Sequence, residues 1–176
     1  MSAYCGFIIP ECYIDTRLTQ FLLKRRVNHQ HSCNNVVKVM RTNYDDDFAV
    51  GIIDNDKAEV AYLQEFQKIG QTKHLKYYIH NQRKQFIITV SPAMDGFVMD
   101  CAKEMQQPLS TFGLPERLKD FTHITKDNGI LKDNRITCLL TAIQNHGEIV
   151  VLKSVLEYLL QSRYNASSEE IKALIR

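Results

Sequence analysis

The chain has no Cys-x-x-Cys pair, no internal repeat, no low-complexity tract, no marked excess of one charge and no long apolar run. Its five cysteines, Cys5, Cys12, Cys33, Cys101 and Cys138, are odd in number and scattered. That argues against a disulfide framework and for reduced thiols in the cytoplasm. A membrane-spanning helix needs about 18–20 consecutive apolar residues, and no stretch approaches that length, so no membrane partner is expected. No basic segment followed by an apolar one opens the sequence, so no secretory leader is expected either. Lys and Arg number 22 against 20 Asp and Glu, a formal net charge of +2. So small an imbalance neither announces nor opposes a nucleic-acid partner. What is present is 176 residues, 44% of them hydrophobic, enough for one sizeable core or one domain with a helical appendage.

The apolar pattern divides the chain into two halves. "YCGFII" at 4–9 reads as a buried strand. "ECYIDTRLTQFLLKRR" then sets Ile14, Leu18, Phe21 and Leu22 at helical spacing, with Asp15 in the first turn and Lys24 to Arg26 in the last, a charge order that suits a helix dipole. "VVKVM" at 36–40 reads as a second strand. "FAVGII" at 48–53 reads as a third, apolar on both alternations as a central parallel strand is. After Asp56 a helical period returns, with Val60, Leu63, Phe66 and Gln67 before a stop at Gly70. "HLKYYIH" at 74–80 and "QFIITV" at 85–90 are further strands joined by a polar turn. From about residue 91 only helices are expected. These are a segment opened by Ser-Pro, a short one within 114–125, faces built on Ile136 to Ile143 and on Ile149 to Leu159, and a last one capped by Ser167 and Glu170. The expectation is an α/β domain over 1–92, with a mainly parallel sheet and flanking helices, followed by a helical extension over 93–176 packed on it.

Acids sit where strands end. Glu11 follows the first strand, and Asp54 and Asp56 follow the third. Ligands of open α/β sheets gather at the carboxyl ends of strands. If these two strands are parallel neighbours, three carboxylates converge and repel one another. A hard divalent cation relieves that repulsion and can activate water or stabilise a phosphate. Taken singly, each acid also has a structural reading. Asp15 and Asp95 suit a first helical turn, Asp54 a helix cap, and Glu11 an exposed turn.

Together these residues resemble a known family. "FIIPECYID", with Glu11 and Asp15 four apart, is similar to the opening motif of Toprim domains. "GIIDND" is similar to their Asp-x-Asp motif. The resemblance covers about residues 4–100 and includes the Toprim nucleases of overcoming-lysogenization-defect and related phage-defence proteins. It implies a Toprim-like fold and Mg²⁺- or Mn²⁺-dependent cleavage or phosphoryl transfer on DNA or RNA. It also implies a partner ATPase or a second copy of the chain. It assigns Glu11 as general base or metal-proximal acid, Asp54 and Asp56 as metal ligands, and Asp15 as support. Asp95 in "VSPAMDGFVM" becomes the later acid at a helix start, and Lys57 a phosphate contact or a counter-charge. One departure stands out: Cys12 occupies the position of the Toprim glycine.

Other candidates compete. Arg17 and Lys24 share a helix face, and Arg83 and Lys84, with Lys73 and Lys76, are interleaved with Tyr77 and Tyr78. That pattern suits phosphates gripped by cations with bases stacked on tyrosines, or simply a solvated sheet edge. His29, His31 and Cys33 are usable zinc ligands without an evident fourth. No cysteine is singled out as a nucleophile. The alternative to an enzyme is a non-catalytic module whose leucine-rich helices dock a partner protein. A nucleotide-sugar Asp-x-Asp site is disfavoured by the short chain.

Overall fold

A computed structural model of the chain describes residues 3–55 and 61–175. In chain order the elements are β1 (Tyr4–Cys5), β2 (Ile8–Pro10), α1 (Tyr13–Leu23), β3 (Arg26–Val27), α2 (Cys33–Asn43), β4 (Ala49–Asp54), β5 (Phe66–Gln71), β6 (Leu75–His80), β7 (Gln85–Val90), α3 (Met94–Glu104), α4 (Leu118–Thr125), α5 (Asn134–Ile143), α6 (Gly147–Ser162) and α7 (Ser168–Ile175). The main sheet has the order β2-β4-β7-β6-β5, and β1 pairs separately with β3. β4 lies between β2 and β7 and is parallel to both. β6 runs antiparallel to β7 and to β5.

The two faces of β4 explain its unbroken apolar run. Val50 and Ile52 join the larger core, which draws Ile14 and Leu18 from α1, Phe97 from α3, Leu140 from α5 and Leu156 from α6. Ala49 and Ile53 face the other way, onto Val36 and Met40 of α2. Each fully buried aliphatic side chain stabilises the fold by roughly 1.5–3 kcal/mol. Gly51 belongs to the α2 face. A Cβ there would lie 2.8 Å from Met40 Sδ and 3.0 Å from Val36 Cγ1, so only glycine admits the helix this close. The expected boundary near Pro92 falls between β7 and α3, and the larger core runs continuously from Ile8 to Ile171 across it.

Three expectations are corrected. The sheet is mixed rather than mainly parallel, because the short turn between β6 and β7 can join only antiparallel neighbours. "VVKVM" lies in a helix, not a strand. Ser32 Oγ caps α2 by accepting the Asn35 N–H at 3.2 Å, and Val36, Val37 and Met40 then bury one helical stripe. Of the helix expected from Asp56 to Gly70, residues 56–60 lie outside the described residues, and the rest is instead a 3₁₀ turn at Ala61–Glu65 followed by strand β5. Antiparallel pairing with β6 overrides its helical spacing, and Gly70 marks a shift of register rather than a helix stop. Further on, Gly147 is the first residue of α6.

Both sheet edges are covered. Ile175 at the end of α7 packs over Gly70 of β5. At the other edge the Asn28 N–H bonds to Ile8 O and the Gln30 N–H to Pro10 O, both at 2.9 Å. This last pairing carries His29 and His31 to the carboxyl end of β2.

A polar clasp joins the start of β6 to α3 and α6. Buried His74 meets Glu148 Oε2 through Nδ1 at 2.5 Å and Asp100 Oδ2 through Nε2 at 3.0 Å. Glu148 Oε1 also accepts the His74 N–H at 2.9 Å and the Thr72 hydroxyl. Glu104 pairs with Lys73 at 2.7 Å and with His146 at 2.9 Å. Among the described residues, no helix is long and apolar enough to cross a membrane.

Candidate active site

β2 and β4 are adjacent and parallel, with Pro10 opposite Ile52, so the residues just past them meet at one edge of the sheet. Glu11 and Asp54 do converge there. The Glu11 N–H bonds to Ile52 O at 2.9 Å, and the Asp54 N–H donates to Glu11 Oε2 at 3.0 Å. Asp54 Oδ1 in turn accepts the Met94 N–H at 3.0 Å, at the first turn of α3. An anionic side chain is favoured at that helix end. Asp54 therefore caps a helix, as its structural reading allows, but the helix is α3 rather than one following directly in sequence. Glu11 is 3% exposed, which removes the reading of an exposed turn acid.

Asp15 stands one turn into α1 and is fully buried. Its Oδ2 accepts the Cys12 N–H at 2.9 Å. Its Oδ1 is buried with no hydrogen-bond partner among the described residues. Burial first, then the charges of Asp54 and Glu11, push its carboxyl well above the usual carboxylate range. Asp95, in the first turn of α3, accepts the Thr125 hydroxyl at 2.6 Å. Asp56 and Lys57 lie outside the described residues.

Glu11, Asp54 and Asp95 line a cleft of about 520 Å³, with Asp15 buried behind it. Tyr13, His29 and His31 form one side, and Thr122, Thr125 and Lys126 from α4 contribute the other. Cys12 raises no difficulty at the position of the Toprim glycine, because its backbone (φ −124°, ψ 178°) is extended and open to any residue. Burial, helped by the Asp15 charge, pushes the Cys12 thiol far up, so the cleft offers no thiolate nucleophile. His29 Nδ1 lies 2.8 Å from Thr16 Oγ1, whose own proton goes to Cys12 O. Nδ1 therefore donates, and Nε2 carries the lone pair. Burial, then the His31 charge, lower the His29 pKa and keep the ring neutral.

The donor chemistry suits a hard cation. The Glu11 and Asp54 carboxylates line one cleft and are linked by the Asp54 N–H bond to Glu11 Oε2. Mg²⁺ usually takes only one or two carboxylates and completes its shell with water and phosphate. Among the described residues, no group of three or more His, Cys, Asp or Glu side chains is placed to hold a metal ion by itself. His29, His31 and Cys33 do not converge as zinc ligands, because Cys33, the first residue of α2, is buried in the smaller core while the two histidines line the cleft.

The basic residues are dispersed. Arg17 is turned onto the Thr137 hydroxyl of α5, with its Nε buried and unpartnered. Lys24 ends α1 in a left-handed conformation (φ 53°), its ammonium 4.0 Å above the Phe21 ring. Arg83 and exposed Lys84 sit in the β6–β7 turn, at the end of the strands opposite Glu11, and Arg83 pairs with Asp45 at 2.6 Å. Tyr77 is 1% exposed and so is not available to stack on a base. The leucine-rich faces of α5 and α6, including Leu139, Leu140, Leu152 and Leu156, are spent in the core. Sequence reasoning missed Tyr13, Thr125 and Lys126 as cleft residues; the only signal for Lys126 was a cation at the end of a short helix. No protein-family model matches this chain, and no curated protein or solved structure is similar to it.

Proposed function

We propose that this chain is a Toprim-like enzyme of metal-dependent phosphoryl transfer, in its specific form a nuclease acting on DNA or RNA. The observation that carries the reading is the Asp54 N–H donating to Glu11 Oε2 at 3.0 Å, which joins the two motifs across adjacent strand ends. Glu11 and Asp54 would hold Mg²⁺ or Mn²⁺. When bound, such a cation neutralises phosphoryl oxygens and lowers the pKa of its water.

The chain's own residues do the positioning. The Asp54 amide orients Glu11, and the first turn of α3 orients Asp54. Thr125 orients Asp95 on the same cleft. Exposed Lys126 offers a phosphate an ammonium at the cleft wall. The resemblance supports a phage-defence setting, with a partner ATPase or a second copy completing the assembly.

The test is cleavage of DNA and RNA in Mg²⁺ or Mn²⁺ by the wild type, Asp54→Asn and Glu11→Gln. The wild type is expected to cleave, and each variant to lose about 100-fold or more, the scale of the several kcal/mol a Lewis acid supplies. Equal background activity in all three would sink the catalytic reading.

A further inference from the structure

We infer that the cleft takes one unpaired nucleotide, its base against the rings of Tyr13, His29 and His31 and its phosphate toward the acids and Lys126. Single-stranded nucleic acid is then the substrate class. This inference rests on the phosphoryl-transfer reading and deepens it.

The two ends of the cleft differ in kind. Pairing of residues 28 and 30 along the outer edge of β2 holds His29 and His31 beside Tyr13. Tyr13 and His29 are stacked, with ring centroids 4.4 Å apart and planes 16° from parallel. His31 stands nearly perpendicular to both, its centroid 4.7 Å from His29 and 5.8 Å from Tyr13. Tyr13 is half-buried and His31 exposed, so the rings form a corner open to the cleft. A flat base fits such a corner, face on one plane and edge on the other. Burial keeps His29 neutral, so this end attracts a π-system rather than an anion.

The α4 region also lines the cleft, with Thr122 beside Leu118 and Lys126 just past the helix end. Glu11 and Asp54 line the same cleft, within which a nucleotide would run from base to phosphate. The volume of about 520 Å³ is that of a small-molecule pocket, where clefts of about 300–1,000 Å³ are usual. A paired base presents its edge rather than its face, and reaching these rings from a duplex requires flipping it out of the stack. Stacking of this kind tolerates any base, so no sequence preference is expected from it.

The experiment is fluorescence anisotropy of the full chain with one labelled oligonucleotide, single-stranded or annealed to its complement, in Ca²⁺ to hold off turnover. The single strand is expected to bind about tenfold or more tighter than the duplex. His31→Ala, at an exposed position, is expected to weaken single-strand binding about fivefold or more, while His31→Phe retains it. Lys126→Ala is expected to lower the salt slope by about 0.7. Equal affinity for duplex and single strand, an unchanged His31→Ala, or no binding of either probe would overturn the inference. Selective single-strand binding without any cleavage in Mg²⁺ would instead overturn the phosphoryl-transfer reading alone. Cleavage of both strand forms with equal affinity would overturn this inference alone.

Discussion

The molecule holds two clusters of carboxylates, and they are treated in opposite ways. At the clasp, Glu148, Asp100 and Glu104 meet His74, Lys73 and His146. At the cleft, Glu11, Asp54 and Asp15 accept main-chain N–H groups, and Asp15 keeps one buried oxygen with no hydrogen-bond partner among the described residues. The acidities follow. Lys73, then His146, draw the Glu104 carboxyl down to about 2. Burial opposes ionisation of Glu148, but bonds from the His74 N–H, the Thr72 hydroxyl and the His74 ring outweigh it and hold its pKa low. Asp15 moves the other way. Acids that serve the fold are matched within it. At the cleft, burial and the charges of Asp54 and Glu11 instead act on Asp15, and carboxyls perturbed in this way are common at functional sites.

The largest effect expected from breaking this contrast is at the clasp. His74→Ala strands Glu148 beside a cavity and should cost about 3 kcal/mol or more. For a chain of this size that is a fall in Tm of about 6–12 °C, read by thermal unfolding. A fall under about 2 °C would show that the clasp contributes little.

The opposite sign is expected at the cleft. Asp15→Asn keeps an oxygen for the Cys12 N–H but removes a charge that burial and Asp54 disfavour. It should raise Tm at pH 7–8 by a few degrees, in the range of about 0.5–2 kcal/mol seen for stabilising changes, while lowering any Mg²⁺-dependent activity. A drop in Tm would mean that Asp15 is stabilising as an anion.

The pH dependence separates the two clusters. Because the folded pKa of Glu148 is depressed, its contribution is complete above the unfolded value of about 4.3 and is lost as pH falls toward the folded one. Because the folded pKa of Asp15 is raised, stability declines as pH climbs from about 3.9 toward its folded value. Glu148→Gln should flatten the acid limb of a plot of Tm against pH, and Asp15→Asn the limb above it. If one variant flattens both limbs, the clusters are coupled. The smallest effect is expected at a site belonging to neither cluster. Arg83→Ala loses a partly exposed pair with Asp45, worth about 0.2–1 kcal/mol, and should leave oligonucleotide affinity unchanged.

Parts of this were legible in the sequence because they depend on short-range patterns. "FAVGIID" could be read as a central strand with an acid at its end, since an apolar run on both alternations has few other homes. "FIIPE" could be read as a strand followed by an acid, although the run expected as one strand over 4–9 is two, β1 and the edge strand β2, and Ser167 with Glu170 could be read as a cap. Other parts were not. "VVKVM" has strand-forming residues, and the cap at Ser32, worth about 1 kcal/mol, sits four residues before it. Phe66–Gln71 carries a helical spacing but has an open strand, β6, to pair with. The spacing of Arg17 and Lys24 on one helix face suggested a shared surface, yet Arg17 is drawn inward to α5.

What the sequence alone determined is the identity and order of the strand-ending acids, because strand length, turn position and the acid are all local. Tertiary structure decided what those acids mean. Only the adjacency of β2 and β4 brings Glu11 to Asp54. Only the packing of α1 beneath the sheet edge buries Asp15 beside their charge. Only the edge pairing of residues 28–30 and the docking of α4, more than sixty residues beyond Asp54 in the chain, raise walls around them. Burial and long-range proximity set the energy of a charge, and neither is written in the spacing of residues along a strand.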